Sequence, residues 1–166
     1  MMKRQYYFLL FLPIFLFSCG SANNSVKNTA EYRQMLEKVQ KLDFRIENNW
    51  ANPVRYSSVN LIGNPNHITF EEDSVAVYLP FFGERQFSGG YGSAGAIEYK
   101  GNLKDLKIEE IPENNEVQIS FQGNKGSENL NFRVIVFPNG NTNTSVTSSQ
   151  RDHMSYNGKI VRKELE

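Results

Sequence analysis

The chain has 166 residues and equal numbers of basic and acidic side chains, 18 of each, which suits a single domain and provides no basic excess for nucleic acid. Its one cysteine, Cys19, excludes an internal disulfide framework and any cysteine-rich zinc site. Aromatic residues make up 13% of the chain, a composition that suits strands.

In chain order, residues 1–18 read as an export signal. Lys3 and Arg4 precede an uncharged run over 6–17, interrupted by Pro13 and too short for a permanent membrane span. Leu16, Phe17 and Ser18 then lead into Cys19, an arrangement that resembles a bacterial lipoprotein signal, in which the cysteine becomes the first mature residue and carries the lipid. The alternative is an ordinary signal peptide with an incidental cysteine. Loss of residues 1–18 would remove two basic charges and leave the remainder slightly acidic. Residues 19–28 are small and polar and read as a flexible tether, and residues 29–166 as one β-rich domain.

Residues 29–42 carry the one clear helical pattern. Thr29 is a capping residue, and Tyr32, Met35, Leu36, Val39 and Leu42 share a face meant for packing on a sheet. From Asp43 the period changes to two. Phe44 and Ile46 alternate with Arg45 and Glu47, and simple alternation puts Trp50 on the same side as Phe44. Asn52-Pro53 ends this strand; 54–60 reads as a loop or short strand, and 63–66 as a turn. Strands are expected over 67–71, 74–79, 96–100, 103–110, 116–122, 129–137 and 141–148, and again over 159–161, with turns at 72–73, 101–102, 112–115, 123–128 and 138–140. Eight or nine short strands after one helix predict an all-β antiparallel domain, sandwich or barrel-like.

Residues 79–95 are the unusual stretch, with four aromatics, five glycines and a Glu-Arg pair. Gly90, Gly92 and Gly95 have the spacing of a dinucleotide loop, but a strand rather than a helix follows, so the amides would not face a phosphate. These glycines read instead as freedom to bend between strands. Ser93 lacks the glycine and helix of a nucleophile elbow, since Tyr91 stands where glycine belongs. His67 and His153 are the only histidines and have no closely spaced partner ligand, so no metal is assigned. Glu71, Glu72 and Asp73 read as a solvated turn rather than a calcium loop, and Glu84 and Glu98 are the nominees for paired carboxylates if the chain cleaves glycosides. No catalytic residue, cofactor or metal is assigned. Arg85 among Phe81, Phe82, Phe87 and Tyr91 is the expected ligand or partner surface, because a guanidinium stacks on rings and grips carboxylates. Arg151, His153 and Tyr156 form a second polar cluster, which reads as a hydrogen-bonded corner tying down the last strand.

Leu79-Pro80-Phe81-Phe82-Gly83 is similar to the L-P-Y-F-G signature of the domain-of-unknown-function 4251 family, with Phe81 in the place of the tyrosine. Asn139-Gly140 before a Ser/Thr strand, Arg151, and Ser155-Tyr156-x-Gly158 agree with the same family in order and spacing, over about residues 31–160. The resemblance implies an exported protein of Bacteroidota-type bacteria, often a lipoprotein, and supplies no catalytic residue. The expectation is an envelope protein held by lipid on Cys19, facing the periplasm, which binds a protein or small molecule without catalysis and does not bind nucleic acid. A structural or assembly role is the alternative, and an envelope hydrolase the third.

Overall fold

In a computed structural model of the protein, residues 29–86 and 95–163 are described. Helix α1 spans Ala30–Lys41. The Thr29 hydroxyl accepts from the Tyr32 amide at 3.2 Å, and Leu42 stops the helix in the left-handed region at φ 48°. Tyr32, Met35 and Val39 are buried, so the apolar face is the packed one.

Ten strands follow among the described residues. They are β1 (Asp43–Pro53), β2 (Val59–Asn60), β3 (His67–Glu71), β4 (Ser74–Leu79), β5 (Ile97–Asn102), β6 (Lys104–Ile111), β7 (Glu116–Lys125), β8 (Glu128–Val136), β9 (Asn141–Ser148) and β10 (Met154–Val161). Nine form one antiparallel sheet in the order β5-β4-β3-β1-β10-β9-β8-β7-β6, and β2 adds to β1. Most neighbours in space are neighbours in sequence, joined by tight turns. Among the described strands, the β1–β10 pairing joins the first strand to the last.

The sheet curls into a nearly closed barrel. Leu103 alone separates β5 from β6, and its amide donates to the Asp73 carbonyl at 2.8 Å. The two strands act as one bent ribbon, whose first half pairs with β4 and second half with β7. The remaining gap, between β5 and the end of β7, is bridged by side chains. Lys125 pairs with Glu98 at 2.7 Å, and the Tyr99 ring lies so close to Gly123 that a Cβ there would meet it at 2.8 Å. Gly123 is thus a glycine because the ring takes its side-chain space.

Inward positions follow the expected alternation, with Val117, Ile119 and Phe121 buried on β7 and Leu130, Phe132, Val134 and Val136 on β8. Rings fill the interior. Phe44 and Phe70 centroids are 4.7 Å apart, Phe70 meets Phe121 edge-on at 5.6 Å, and Phe121 stacks on Phe132 at 4.6 Å. The helix packs on β1 and β7 and covers the end where β1 begins, and the Tyr32 hydroxyl donates to Glu110 Oε2 at 3.4 Å.

The expected turn at 123–128 is narrower than its composition suggests. Lys125 and Glu128 still pair, so only Gly126 and Ser127 turn, with Gly126 at φ 62°. A larger departure occurs in β1. Its register against β10 slips between Asn48 and Trp50, a bulge that reverses the alternation. Phe44, Ile46 and Asn48 point inward before the bulge, and Ala51 and Pro53 after it. Trp50 therefore faces outward, 43% exposed, rather than sharing the side of Phe44. Asn66 holds the bulge: its Oδ1 accepts from the Asn48 amide at 2.6 Å, and its Nδ2 donates to the Asn48 carbonyl at 3.0 Å. Gly158 makes room opposite, since a Cβ there would collide with the Glu47 carbonyl and lie 2.7 Å from Asn48 Oδ1.

Candidate functional site

Among the described residues, two places concentrate polar chemistry. The first is the barrel end opposite α1, where β4 leaves and β10 enters. Residues 84–86 run antiparallel to 150–152 as a short flap: the Gln86 amide donates to the Gln150 carbonyl at 2.9 Å, and the Asp152 amide to the Glu84 carbonyl at 3.0 Å. The Asp152 carboxylate accepts from the Glu84 amide at 3.1 Å and pairs with Arg55 at 3.2 Å.

Arg151 is the centre of this end. It is 4% exposed and grips Glu128 through two bonds, Nε to Oε1 at 2.7 Å and Nη2 to Oε2 at 3.0 Å. Its Nη1 donates to the Gly95 and Ala96 carbonyls at 2.9 and 3.3 Å, and its guanidinium lies 5.3 Å from the Phe81 ring centroid. Burial alone would raise the Glu128 carboxyl, but hydrogen bonds from Arg151 and Ser148 and the charges of Arg151 and Arg85 outweigh it and hold the carboxyl below its ordinary value. Tyr156 completes the corner by donating to the Pro80 carbonyl at 2.9 Å; burial pushes its phenol well above the ordinary range.

Arg151 and Tyr156 are thus brought together on the segment 79–83, tying the last strand to it, and His153 lies exposed beside them. The aromatic stretch is divided. Phe81 is 3% exposed and belongs to the interior, Phe82 is half-buried against the core, and Arg85 is exposed. The guanidinium stacked on Phe81 is that of Arg151, not of Arg85, four residues away in the chain. Phe87 and Tyr91, like Cys19, lie outside the described residues, as do Gly90, Gly92 and Ser93. The two nominated carboxylates are engaged separately: Glu98 bonds Lys125, which lowers its carboxyl, and Glu84 lies 3.9 Å from Arg55. His67 stacks on Tyr78, and among the described residues no group of three His, Cys, Asp or Glu side chains could hold a metal ion.

The second place is the outer face of β9, β10, β1 and β2, which reading by alternation missed. Because the bulge turns Trp50 outward, the register aligns Asn143, Asn157, Trp50 and Asn60 in one row across four strands. Ser145, Ser155 and Asn52 form the next row. The side chains are linked. Ser58 donates to Asn52 Oδ1 at 2.7 Å, Asn52 Nδ2 to Asn157 Oδ1 at 2.6 Å, and Asn157 Nδ2 to Asn143 Oδ1 at 2.7 Å. Neither row contains a charged residue on these strands; Glu47 and Lys159 border the first row, and Arg133 faces Ser145 from β8. Tyr56, 57% exposed, follows on the β1–β2 loop. A signal for this face was present in the sequence as clustered Asn and Ser around the one tryptophan, but its sidedness depended on the bulge.

Among the described residues no helix is long and apolar enough to cross a membrane. The family model for the domain of unknown function DUF4251 matches residues 26–160, and the chain belongs to that family. A search of curated proteins gives no significant match. Among solved structures, the crystal structure of a DUF4251 family protein from Bacteroides eggerthii DSM 20697 is similar, with a TM-score of 0.60 at 13% identity, covering 79% of this chain and 87% of that one. At that identity the likeness speaks for the fold alone.

Proposed function

We propose that this DUF4251 protein is a lipid-anchored component of a bacterial cell envelope that binds a ligand or partner without catalysing a reaction. The address rests on the sequence: a basic start, an apolar run, Cys19 and a polar tether. Lipid on Cys19 would hold the domain at the membrane surface, facing the periplasm.

One observation carries the binding reading. The outer β9–β10–β1–β2 face presents an uncharged, hydrogen-bonded polar array around an exposed tryptophan, while rings pack the described interior. At the barrel end opposite α1, the buried groups Arg151, Glu128 and Tyr156 are bonded within the fold.

The test has two parts. Expressed in a bacterial host and fed a clickable fatty acid, the protein should take up label and sediment with membranes, while Cys19→Ala should lose the label and appear in the soluble fraction. A native pull-down from envelopes, read by mass spectrometry for proteins and small molecules, should return a specific companion. Unlabelled protein would overturn the anchor, and a clean pull-down with no companion of either kind would overturn the binding role.

A further inference from the structure

We infer that the outer face built around Trp50 is a binding site for a neutral glycan chain; this rests on the binding role proposed above and names the ligand class. Three observations point to that chemistry. The first is the array itself. Asn143, Asn157, Trp50 and Asn60 are direct cross-strand neighbours, so they recur at the strand spacing of about 4.8 Å, close to the length of one pyranose ring. Amide side chains carry two donor hydrogens and an oxygen with two lone pairs, so each can serve a sugar hydroxyl while its oxygen also accepts within the array, as Asn60 Oδ1 does from the Ile62 amide at 2.8 Å. An exposed indole offers an apolar ring with a polar edge, suited to the C–H face of a sugar.

The second observation is charge. On a chain with 36 charged Asp, Glu, Lys and Arg residues, the two rows across β9, β10, β1 and β2 have none. A phosphate headgroup, nucleic acid or acidic polysaccharide would call for Arg or Lys at the contact. A protein interface would set apolar residues around its aromatic centre, whereas Trp50 is flanked across the strands by Asn157 and Asn60, with Ser145 and Ser155 in the next row. An uncharged hydroxylated ligand fits the face as it stands.

The third is preorganisation. The relay from Ser58 through Asn52 and Asn157 to Asn143 fixes the side chains before any ligand arrives, and uses only one hydrogen of each donating amide nitrogen, leaving the other to bond a ligand. Side chains already ordered lose little entropy on binding. The Asn48–Asn66 clamp at the bulge, with Gly158 opposite, fixes the direction of Trp50.

Trp50 is the only tryptophan of the chain, so its emission reports this site directly. The full chain is titrated with neutral oligosaccharides (gluco-, manno-, xylo- and N-acetylated series) and with acidic ones (oligogalacturonate, sulfated glycans), after a glycan-array screen. At least one neutral series should give a saturable change in emission and shield Trp50 from acrylamide quenching. On the same array, Trp50→Ala should weaken retention about tenfold or more, and Asn157→Ala several-fold, with both variants melting within a few degrees of the wild type. Trp50→Phe should keep part of the affinity. The assignment is overturned if only acidic glycans bind, if Trp50→Ala binds neutral glycans as well as the wild type, or if no neutral glycan binds while the envelope pull-down returns a protein. Those results leave the broader binding role standing. Silence in both the array and the pull-down overturns both.

Discussion

Replacing Arg151 with alanine tests the reading of the barrel end most sharply. The substitution leaves the Glu128 carboxylate, whose side chain is 6% exposed, with the Ser148 hydroxyl at 2.6 Å as its remaining hydrogen-bond partner and the more distant charge of Arg85. It also removes the donor from two carbonyls and the cation from the Phe81 ring. Breaking a buried pair from one side costs about 3–5 kcal/mol, and the lost ring contact about 1 kcal/mol within that range. We expect a loss of about 4 kcal/mol, which lowers the melting temperature by about 12 °C for a domain of this size. Calorimetry or denaturant melts at pH 7 measure it.

The sign of the pH dependence separates a buried pair from mere packing. In the wild type the Glu128 carboxyl is held below its ordinary value. Its stabilisation is therefore complete above the unfolded-state value and lost only as pH falls through the lower folded one. Without the guanidinium, burial dominates and raises the carboxyl, so the variant sheds its penalty by taking up a proton as pH falls through that raised value. The stability gap between wild type and Arg151→Ala should then narrow from pH 7 toward pH 5. The paired change Glu128→Leu with Arg151→Met should recover most of the loss, since an apolar pair of similar volume leaves no charge behind. A gap under about 1 kcal/mol at pH 7, or one that stays constant with pH, would show that Arg151 and Glu128 do not act as a buried charge pair.

Two further substitutions probe the neighbouring devices. Gly158→Ala should cost about 3 kcal/mol or more, because the new methyl meets the β1 backbone at the Glu47 carbonyl; the emission of Trp50, next to the same bulge, should shift with it, and an unchanged melt and spectrum would show that the bulge does not depend on this glycine. Tyr156→Phe should cost about 1–2 kcal/mol by leaving the Pro80 carbonyl without its donor, seen as a modest fall in the denaturant midpoint at unchanged slope.

The residues of the family-like signatures show how far a linear reading reaches. Leu79–Gly83 and Arg151–Gly158 are distant in sequence and meet in the fold: Tyr156 bonds Pro80, Arg151 lies over Phe81, and Gly158 faces the β1 bulge. Reading the chain set Arg85 among Phe81, Phe82, Phe87 and Tyr91 because proximity along the chain is the only proximity a sequence displays; the fold adds Arg151 over Phe81. Both arginines carry the same charge and shape. Arg151 holds the buried position because Glu128, at the start of β8, lies beside it as a counter-charge, and only a paired charge survives burial.

What the amino-acid sequence determined by itself is local and periodic. The helix with its Thr29 cap, the alternating strands, the tight turns at Gly126 and Gly140 and the all-β class follow from side-chain spacing and backbone preference, which act over a few residues. The direction in which Trp50 faces was set by the tertiary structure. Trp50 points outward because Asn66, sixteen residues later, and Gly158, at the far end of the chain, stabilise one extra residue in β1, and a strand's period of two turns that single insertion into a change of face. The polar array around Trp50 exists only once four strands from opposite ends of the chain lie side by side, since no single segment contains it.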